Sequence, residues 1–92
     1  MFAYTETEKQ EVLKKYFEVT DSLSLMIFPK KQKLKYLCLL WIQTQFKKGT
    51  EYSEKKVNEI LKDIYPDYVM LRRYLVDYGL LFRELDGSKY WI

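Results

Sequence analysis

The chain has 92 residues, which is the length of one small domain, and aromatic residues make up 17% of it, a generous apolar supply. Its net charge is +3 and it contains no histidine, so the commonest general base and metal ligand is excluded. The single cysteine, Cys38, excludes an internal disulfide, and every apolar run is too short for a membrane span. With no signal peptide at its start, we expect a cytoplasmic protein without membrane attachment.

Positive charge is concentrated in one segment of the chain. Residues 26–50 contain six Lys and no acidic residue, whereas residues 1–25 contain three Lys and five acidic residues. A basic segment in a mildly basic protein permits nucleic-acid binding without requiring it.

The first third of the chain is predicted to form a helix and an arm. The apolar residues of 5–19 recur on one face, which indicates an amphipathic helix. The connector at 20–29 is unusually apolar, and we expect 25–28 to pack as an extended arm. We therefore divide one compact unit into an N-terminal helix and arm at 1–28 and a second part at 29–92.

A central helix is predicted to follow. Pro29 suits the first position of a helix, because its φ is fixed and its missing N–H is not needed there. The helix should run to about Phe46 and be followed by a break at Gly49. Residues 37–42 are apolar on every side, so this helix should be buried on several sides.

Two shorter helices are predicted next. Residues 51–52 should form a short strand, and Ser53 can cap the helix that follows it. A turn at 65–67 then leads into a helix over 67–78. Gly79 follows this helix and can end it by adopting the left-handed conformation.

The chain ends in a predicted β-hairpin. Asp86 and Gly87 form a strong two-residue turn signal. That turn sets a register with the pairs Glu84–Lys89, Arg83–Tyr90 and Phe82–Trp91. The predicted fold is therefore mainly α with a small β-hairpin, in the order of a winged helix-turn-helix preceded by an extra N-terminal helix.

Several ordered blocks resemble the bacterial domain-of-unknown-function family 2087. They lie at residues 28–33, 52–61, 67, 71–73, 75–81, 83 and 86–91, so the resemblance covers about 12–92. The chain departs from the family pattern at Tyr65, where His is expected, and at Ile92, where Arg is expected. The resemblance implies a setting in transcription regulation, since some members carry the domain behind a separate helix-turn-helix, but the family has no established activity.

Candidate DNA contacts lie first on the helix at 67–78. A major-groove reader presents donors near the start of its recognition helix, where Tyr68 and Val69 precede Arg72 and Arg73. The alternative is structural: Arg72 or Arg73 forms an ion pair with one of three acidic residues, namely Asp67, Asp77 or Glu84.

Two further basic groups have two interpretations each. Four lysines, Lys30, Lys31, Lys33 and Lys35, oppose the helix dipole at the start of the central helix, which hints at an anionic partner. The alternative is a solvated basic turn balanced by the acidic first helix. On the hairpin, Arg83 and Lys89 are suited to straddle a phosphate backbone, unless Lys89 pairs with Glu84 and Arg83 is merely exposed.

Three functions stay open. The leading one is a DNA-binding, transcription-regulatory winged helix that forms a homodimer through its N-terminal helix and arm. The second is a protein-interaction winged helix that uses the outward apolar residues Val69, Met70 and Val76. The third is a small-ligand sensor with an aromatic pocket at Trp41.

Catalysis has little support in the sequence. Cys38 lies in an apolar run, where a thiol is normally inert, and Ser53 is accounted for as a helix cap. No carboxylate pair, phosphate loop or metal-ligand spacing stands out. We expect no enzyme, no cofactor and no metal.

Overall fold

The structure is a computed structural model that describes residues 2–92. Within these residues the chain is mainly helical, with two small antiparallel hairpins. The elements in order are α1 (Glu6–Tyr16), β1 (Phe17–Val19), β2 (Leu23–Leu25), α2 (Gln32–Gln43), α3 (Glu54–Lys62), α4 (Tyr68–Asp77), β3 (Phe82–Arg83) and β4 (Tyr90–Trp91).

Helix α1 is shorter than predicted. A reciprocal capping box starts it, since the Thr5 hydroxyl accepts the Glu8 N–H and the Glu8 carboxylate accepts the Thr5 N–H. It ends at Tyr16 because Phe17 has extended dihedral angles, φ −122° and ψ 154°. The predicted helix over 5–19 is therefore wrong in its last residues, which form β1 instead.

The connector predicted at 20–29 contains a strand, because the chain folds back as a hairpin just before the predicted arm at 25–28. Strands β1 and β2 pair antiparallel, with Val19 opposite Leu23. The Leu25 N–H donates to the Ile64 carbonyl over 2.8 Å, which attaches this hairpin to the end of α3. The residues after β2 do not all pack: the exposed fractions of Met26 and Ile27 are 52% and 65%.

Helix α2 begins three residues later than predicted. Its N-cap is Lys31, and Pro29 is buried in the irregular segment before it, so the prediction that Pro29 opens the helix is wrong. The α-helix ends at Gln43. Beyond it, i→i−3 hydrogen bonds form 3₁₀-like turns as far as Phe46. The middle of α2 is buried as expected, at Leu37, Cys38, Leu39 and Ile42.

Side-chain caps start both α3 and α4: the cap at Ser53 was predicted, and Asp67, predicted only as part of a turn, caps α4. The Ser53 hydroxyl accepts the Lys56 N–H over 3.1 Å, and the Asp67 carboxylate accepts the Met70 N–H over 3.2 Å. Helix α4 confirms the predicted helix over 67–78. The two helices pack against each other, and α4 also contacts α2.

The C-terminal hairpin has the predicted register but a longer loop. Phe82 pairs with Trp91 and Arg83 with Tyr90, and the rings of the first pair stack 6.2 Å apart. A two-residue type I′ turn needs positive φ at both central residues, and in residues 2–92 only glycines have it. The loop instead spans four residues, with the Gly87 N–H donating to the Glu84 carbonyl.

The predicted strand before α3 is reduced to one bridge. Tyr52 and Tyr90 exchange two backbone hydrogen bonds of 2.8 Å, which makes Tyr52 a third, minimal strand beside β4. This bridge ties the end of the chain to the start of α3 and so fixes the hairpin beside the α3–α4 pair.

One apolar core joins the four helices with strands β1, β2 and β4, whereas both residues of β3 are exposed. It contains Val12, Phe17, Leu23, Leu25, Leu37, Cys38, Leu39, Ile42, Phe46, Val57, Leu61, Ile64, Leu71, Leu75, Leu80, Leu81 and Tyr90. No helix within residues 2–92 is long and apolar enough to cross a membrane.

Gly79 is the residue whose conformation links α4 to the hairpin. Its φ is +72°, and space for a Cβ atom is open, so the cost of Gly79→Ala is conformational only. We expect this change to lower the free energy of unfolding by about 1–2 kcal/mol. Chemical denaturation measures it; Gly79→Asn is the control and should cost less, because Asn tolerates the left-handed region.

Candidate nucleic-acid interface

A groove lies between α4 and the C-terminal hairpin. Its volume is about 210 Å³, and its lining comprises Val69, Arg72, Arg73, Val76, Asp77, Arg83 and Tyr90. The fold therefore gathers three arginines that the sequence proposed for DNA contact, two from the helix and one from the hairpin. Asp77 adds a negative charge to the same lining.

Arg72 is held by neighbours on α3. Its Nη1 lies 3.0 Å from Glu54 Oε1, and the same group donates a hydrogen bond to the Asn58 side chain. Only 19% of the Arg72 side chain is exposed. The structural interpretation of this arginine is thus supported, but the predicted acidic partners at 67, 77 and 84 are wrong for Arg72.

Arg73 differs from its neighbour. It is exposed, and within residues 2–92 it forms no ion pair. Val69, one turn earlier, is also exposed, whereas Tyr68 is half-buried, with the Lys62 ammonium 5.0 Å from its ring centre. Arg73 is therefore the guanidinium on α4 that is free to meet a ligand.

The outward apolar face of α4 is narrower than predicted. Val69 is exposed, but Met70 and Val76 are half-buried and pack against the core cluster. Of the three apolar residues predicted to face outward, Val69 is thus exposed, while Met70 and Val76 are partly exposed and partly packed.

The two basic residues of the hairpin have different surroundings. Arg83 donates from Nε to the Glu84 carbonyl and from Nη2 to the Leu85 carbonyl, both over 3.2 Å. Lys89 lies 3.7 Å from a Glu51 carboxylate oxygen. The predicted Glu84–Lys89 ion pair is wrong: these residues share a backbone hydrogen bond, while the ammonium turns to the segment before α3.

The four lysines around the start of α2 do not act as one group. Lys33 lies 2.7 Å from a Glu8 carboxylate oxygen, as the balancing role of the acidic first helix predicts. Lys35 donates to the Tyr74 hydroxyl over 3.3 Å, and its ammonium lies 4.9 Å from the centre of that ring. Lys30 and Lys31 are exposed.

Tyr90 is the residue of this site that sequence reasoning missed. Its side chain is 1% exposed, it lines the groove, and its hydroxyl is buried without a hydrogen-bond partner. The hairpin register could have identified Tyr90 as a site residue. Tyr90 pairs with Arg83, so the two side chains lie on the same face of the hairpin.

Trp41 and Cys38, the two other candidate residues, have surroundings that indicate a structural role. The Trp41 indole N–H donates to the Lys9 carbonyl over 2.8 Å, and the Lys9 ammonium lies 4.7 Å from the ring centre, so Trp41 joins α1 to α2. Burial raises the pKa of the Cys38 thiol to about 12. Within residues 2–92, no three His, Cys, Asp or Glu residues are grouped so as to hold a metal ion.

Residues 24–92 match a family described as an uncharacterized protein conserved in bacteria (DUF2087). The chain belongs to this family. The match begins in β2, later than the resemblance at about 12–92 indicates, and it includes α2, α3, α4 and the C-terminal hairpin. No curated protein and no solved structure shows significant similarity to the chain.

The Arg72 contacts are expected to stabilise the α3–α4 pair. Arg72→Ala should lower the free energy of unfolding by about 1–2 kcal/mol, since it leaves Glu54 and Asn58 without a half-buried partner. Chemical denaturation measures the loss. The control is Lys56→Ala, whose pair with Glu59 is more than half exposed and should contribute below about 0.5 kcal/mol.

The Glu8–Lys33 pair predicts a pH effect. The hydrogen bond from Lys33 and the capping bond from Thr5 lower the pKa of the Glu8 carboxyl. The depressed pKa means that this contact stabilises the fold above the ordinary glutamate range and stops doing so as pH falls through the lowered pKa. Carboxyl NMR titration of Lys33→Gln should show the Glu8 pKa rising toward its ordinary value, while an unchanged pKa contradicts the pair.

Proposed function

We propose that this chain is a winged helix-turn-helix module that binds DNA and regulates transcription. The element order supports it: α2, the Tyr52 bridge, α3, α4 and the β3–β4 hairpin follow the order of helix, strand, two helices and wing. In that arrangement α4 is the recognition helix and the C-terminal hairpin is the wing.

The groove between α4 and the hairpin carries the proposal. Recognition helix and wing approach DNA together, and arginines between them are suited to contact phosphates or base edges. Arg73 supplies a free guanidinium group on the helix, and Arg83 supplies a guanidinium group on the wing. Arg83 donates two of its N–H groups to backbone carbonyls and keeps the other three for a ligand.

The internal contacts divide the candidate residues into two groups. Arg72, Lys33 and Lys35 have partners within the fold, so we propose that they position the binding surface. The proposed contacts to DNA are Val69, Arg73, Lys30, Lys31 and Arg83. Lys89 is included because its ion pair with Glu51 is exposed and contributes little, so a phosphate can replace it. Tyr68 supports the start of the recognition helix.

A second function is favoured by exposed apolar groups. Leu85 at the hairpin tip is 98% exposed, Phe82 is 48% exposed, and Val69 is 41% exposed. Apolar groups of this size suit a protein surface better than a phosphate backbone. A winged helix that binds a protein partner without DNA is therefore the alternative.

We also propose that the module acts as a homodimer through its N-terminal part. The β1–β2 hairpin and the segment after it expose Val19, Met26 and Ile27. Burying these groups against a second copy would remove them from water. Two copies per site would also double the basic contacts available to one duplex.

The decisive experiment titrates the protein against fluorescent mixed-sequence duplex DNA at low and moderate salt. We expect affinity to fall steeply with added salt and Arg73→Ala to weaken binding by about tenfold, or ~1.4 kcal/mol, through loss of a charged contact. Analytical ultracentrifugation of the complex tests for two chains per duplex.

Lys14→Ala is the matched control, because Lys14 is exposed on α1, away from the groove. Equal losses in both variants would mean that binding depends on overall charge and not on α4. A folded protein that does not bind at low salt would contradict the DNA function and direct attention to a protein partner.

A further inference from the structure

Tyr90, one of the residues that line the groove, carries an unusual polar atom. A buried hydroxyl normally has a hydrogen-bond partner, and leaving one without a partner is destabilising. The Tyr90 hydroxyl has none, although the side chain is 1% exposed. Since Tyr90 also lines the groove between α4 and the hairpin, a group bound in that groove is the natural partner for its hydroxyl.

Charge indicates which kind of group that is. Among the groove residues, Arg72 is neutralised by Glu54, while Arg73 and Arg83 outnumber Asp77. The Glu54 carboxylate also lies on the same side of Gly87 as the Arg83 guanidinium, and with Glu54 counted, three arginines still exceed two acidic residues. This net positive charge favours an anion over a cation or a neutral ligand.

The dimensions suit a small anion. A volume of about 210 Å³ exceeds by several times the ~30 Å³ that one water occupies in the liquid, so a tetrahedral oxyanion fits. The Arg83 guanidinium lies 5.8 Å from the centre of the Tyr90 ring, and two of its five N–H groups are used by backbone carbonyls. Arg73, Arg83 and Tyr90 all line this one groove, so their donors surround the same volume.

We infer that the groove is a site for one phosphate group, which accepts hydrogen bonds from the Tyr90 hydroxyl and from the guanidinium groups of Arg73 and Arg83. Phosphate offers several acceptor oxygens and carries the charge that two arginines complement. The phosphate can belong to a DNA backbone or to a small phosphorylated molecule. The site stands on the groove itself and does not require the proposed DNA function.

Inorganic phosphate is the probe. We would follow the arginine Nε–Hε and backbone amide NMR signals of the full chain during titration at constant ionic strength. Arg73→Gln and Arg83→Gln should each weaken phosphate binding by about tenfold, and Tyr90→Phe by about three- to tenfold. Asp77→Asn, which removes a carboxylate from the lining, should tighten binding.

Tyr90→Phe separates folding from binding. It keeps the ring and removes only the hydroxyl that has no partner, so without phosphate its thermal midpoint should equal or exceed that of the unchanged protein. The charge control is Lys14→Gln, on the exposed face of α1, which should leave phosphate affinity unchanged.

A second titration adds duplex DNA to the phosphate-bound protein. Displacement of phosphate by DNA, with the same variants impaired for both, assigns the site to a backbone phosphate. Phosphate binding without DNA binding keeps the site, assigns it to a small phosphorylated molecule and refutes the DNA function. Equal phosphate affinity in Tyr90→Phe, Arg73→Gln and Lys14→Gln, or no phosphate binding, overturns the site whether or not DNA binds.

Discussion

The burial of α2 on several sides is the constraint on which the rest of the structure depends. Leu37, Cys38, Leu39 and Ile42 are each at most 1% exposed, so other elements must cover most of the helix. α1 covers one side and α4 another, and the Trp41–Lys9 hydrogen bond fixes α1 in place. The position of α4, and therefore of the groove, follows from the need to cover an apolar helix.

Aromatic side chains reinforce that position. Tyr36 on α2 stacks on Tyr78 after α4, with ring centres 6.3 Å apart, and Phe28 contacts Tyr74 at 5.2 Å. These half-buried rings connect α2 and the segment before it to α4 and the residue after it. The Lys35 ammonium contacts the Tyr74 ring of this cluster. Lys35 is therefore not one of the lysines that are free on the surface.

The charged residues show how internal pairing reduces a basic sequence to a few available groups. Lys33 pairs with Glu8, Arg72 with Glu54 and Lys89 with Glu51, and each partner comes from another element. The sequence predicted that the acidic first helix balances the lysines of α2, but not the partners of Arg72 and Lys89, because acidic residues distant in sequence become neighbours only in the fold. The contrast between adjacent Arg72 and Arg73 arises in this way.

Local physical chemistry determined much of this protein from the sequence alone. Caps at Ser53 and Asp67, apolar periodicity and the cross-strand pairs Phe82–Trp91 and Arg83–Tyr90 act over few residues, so α3, α4 and the hairpin register were predictable. The membership of the family was likewise visible in ordered sequence blocks. Tertiary structure alone decided the β1–β2 hairpin, whose Leu25 bonds to Ile64 far along the chain, the partners of the charged residues, and the burial of the Tyr90 hydroxyl beside the groove. These features depend on contacts between distant segments, which a local pattern does not encode.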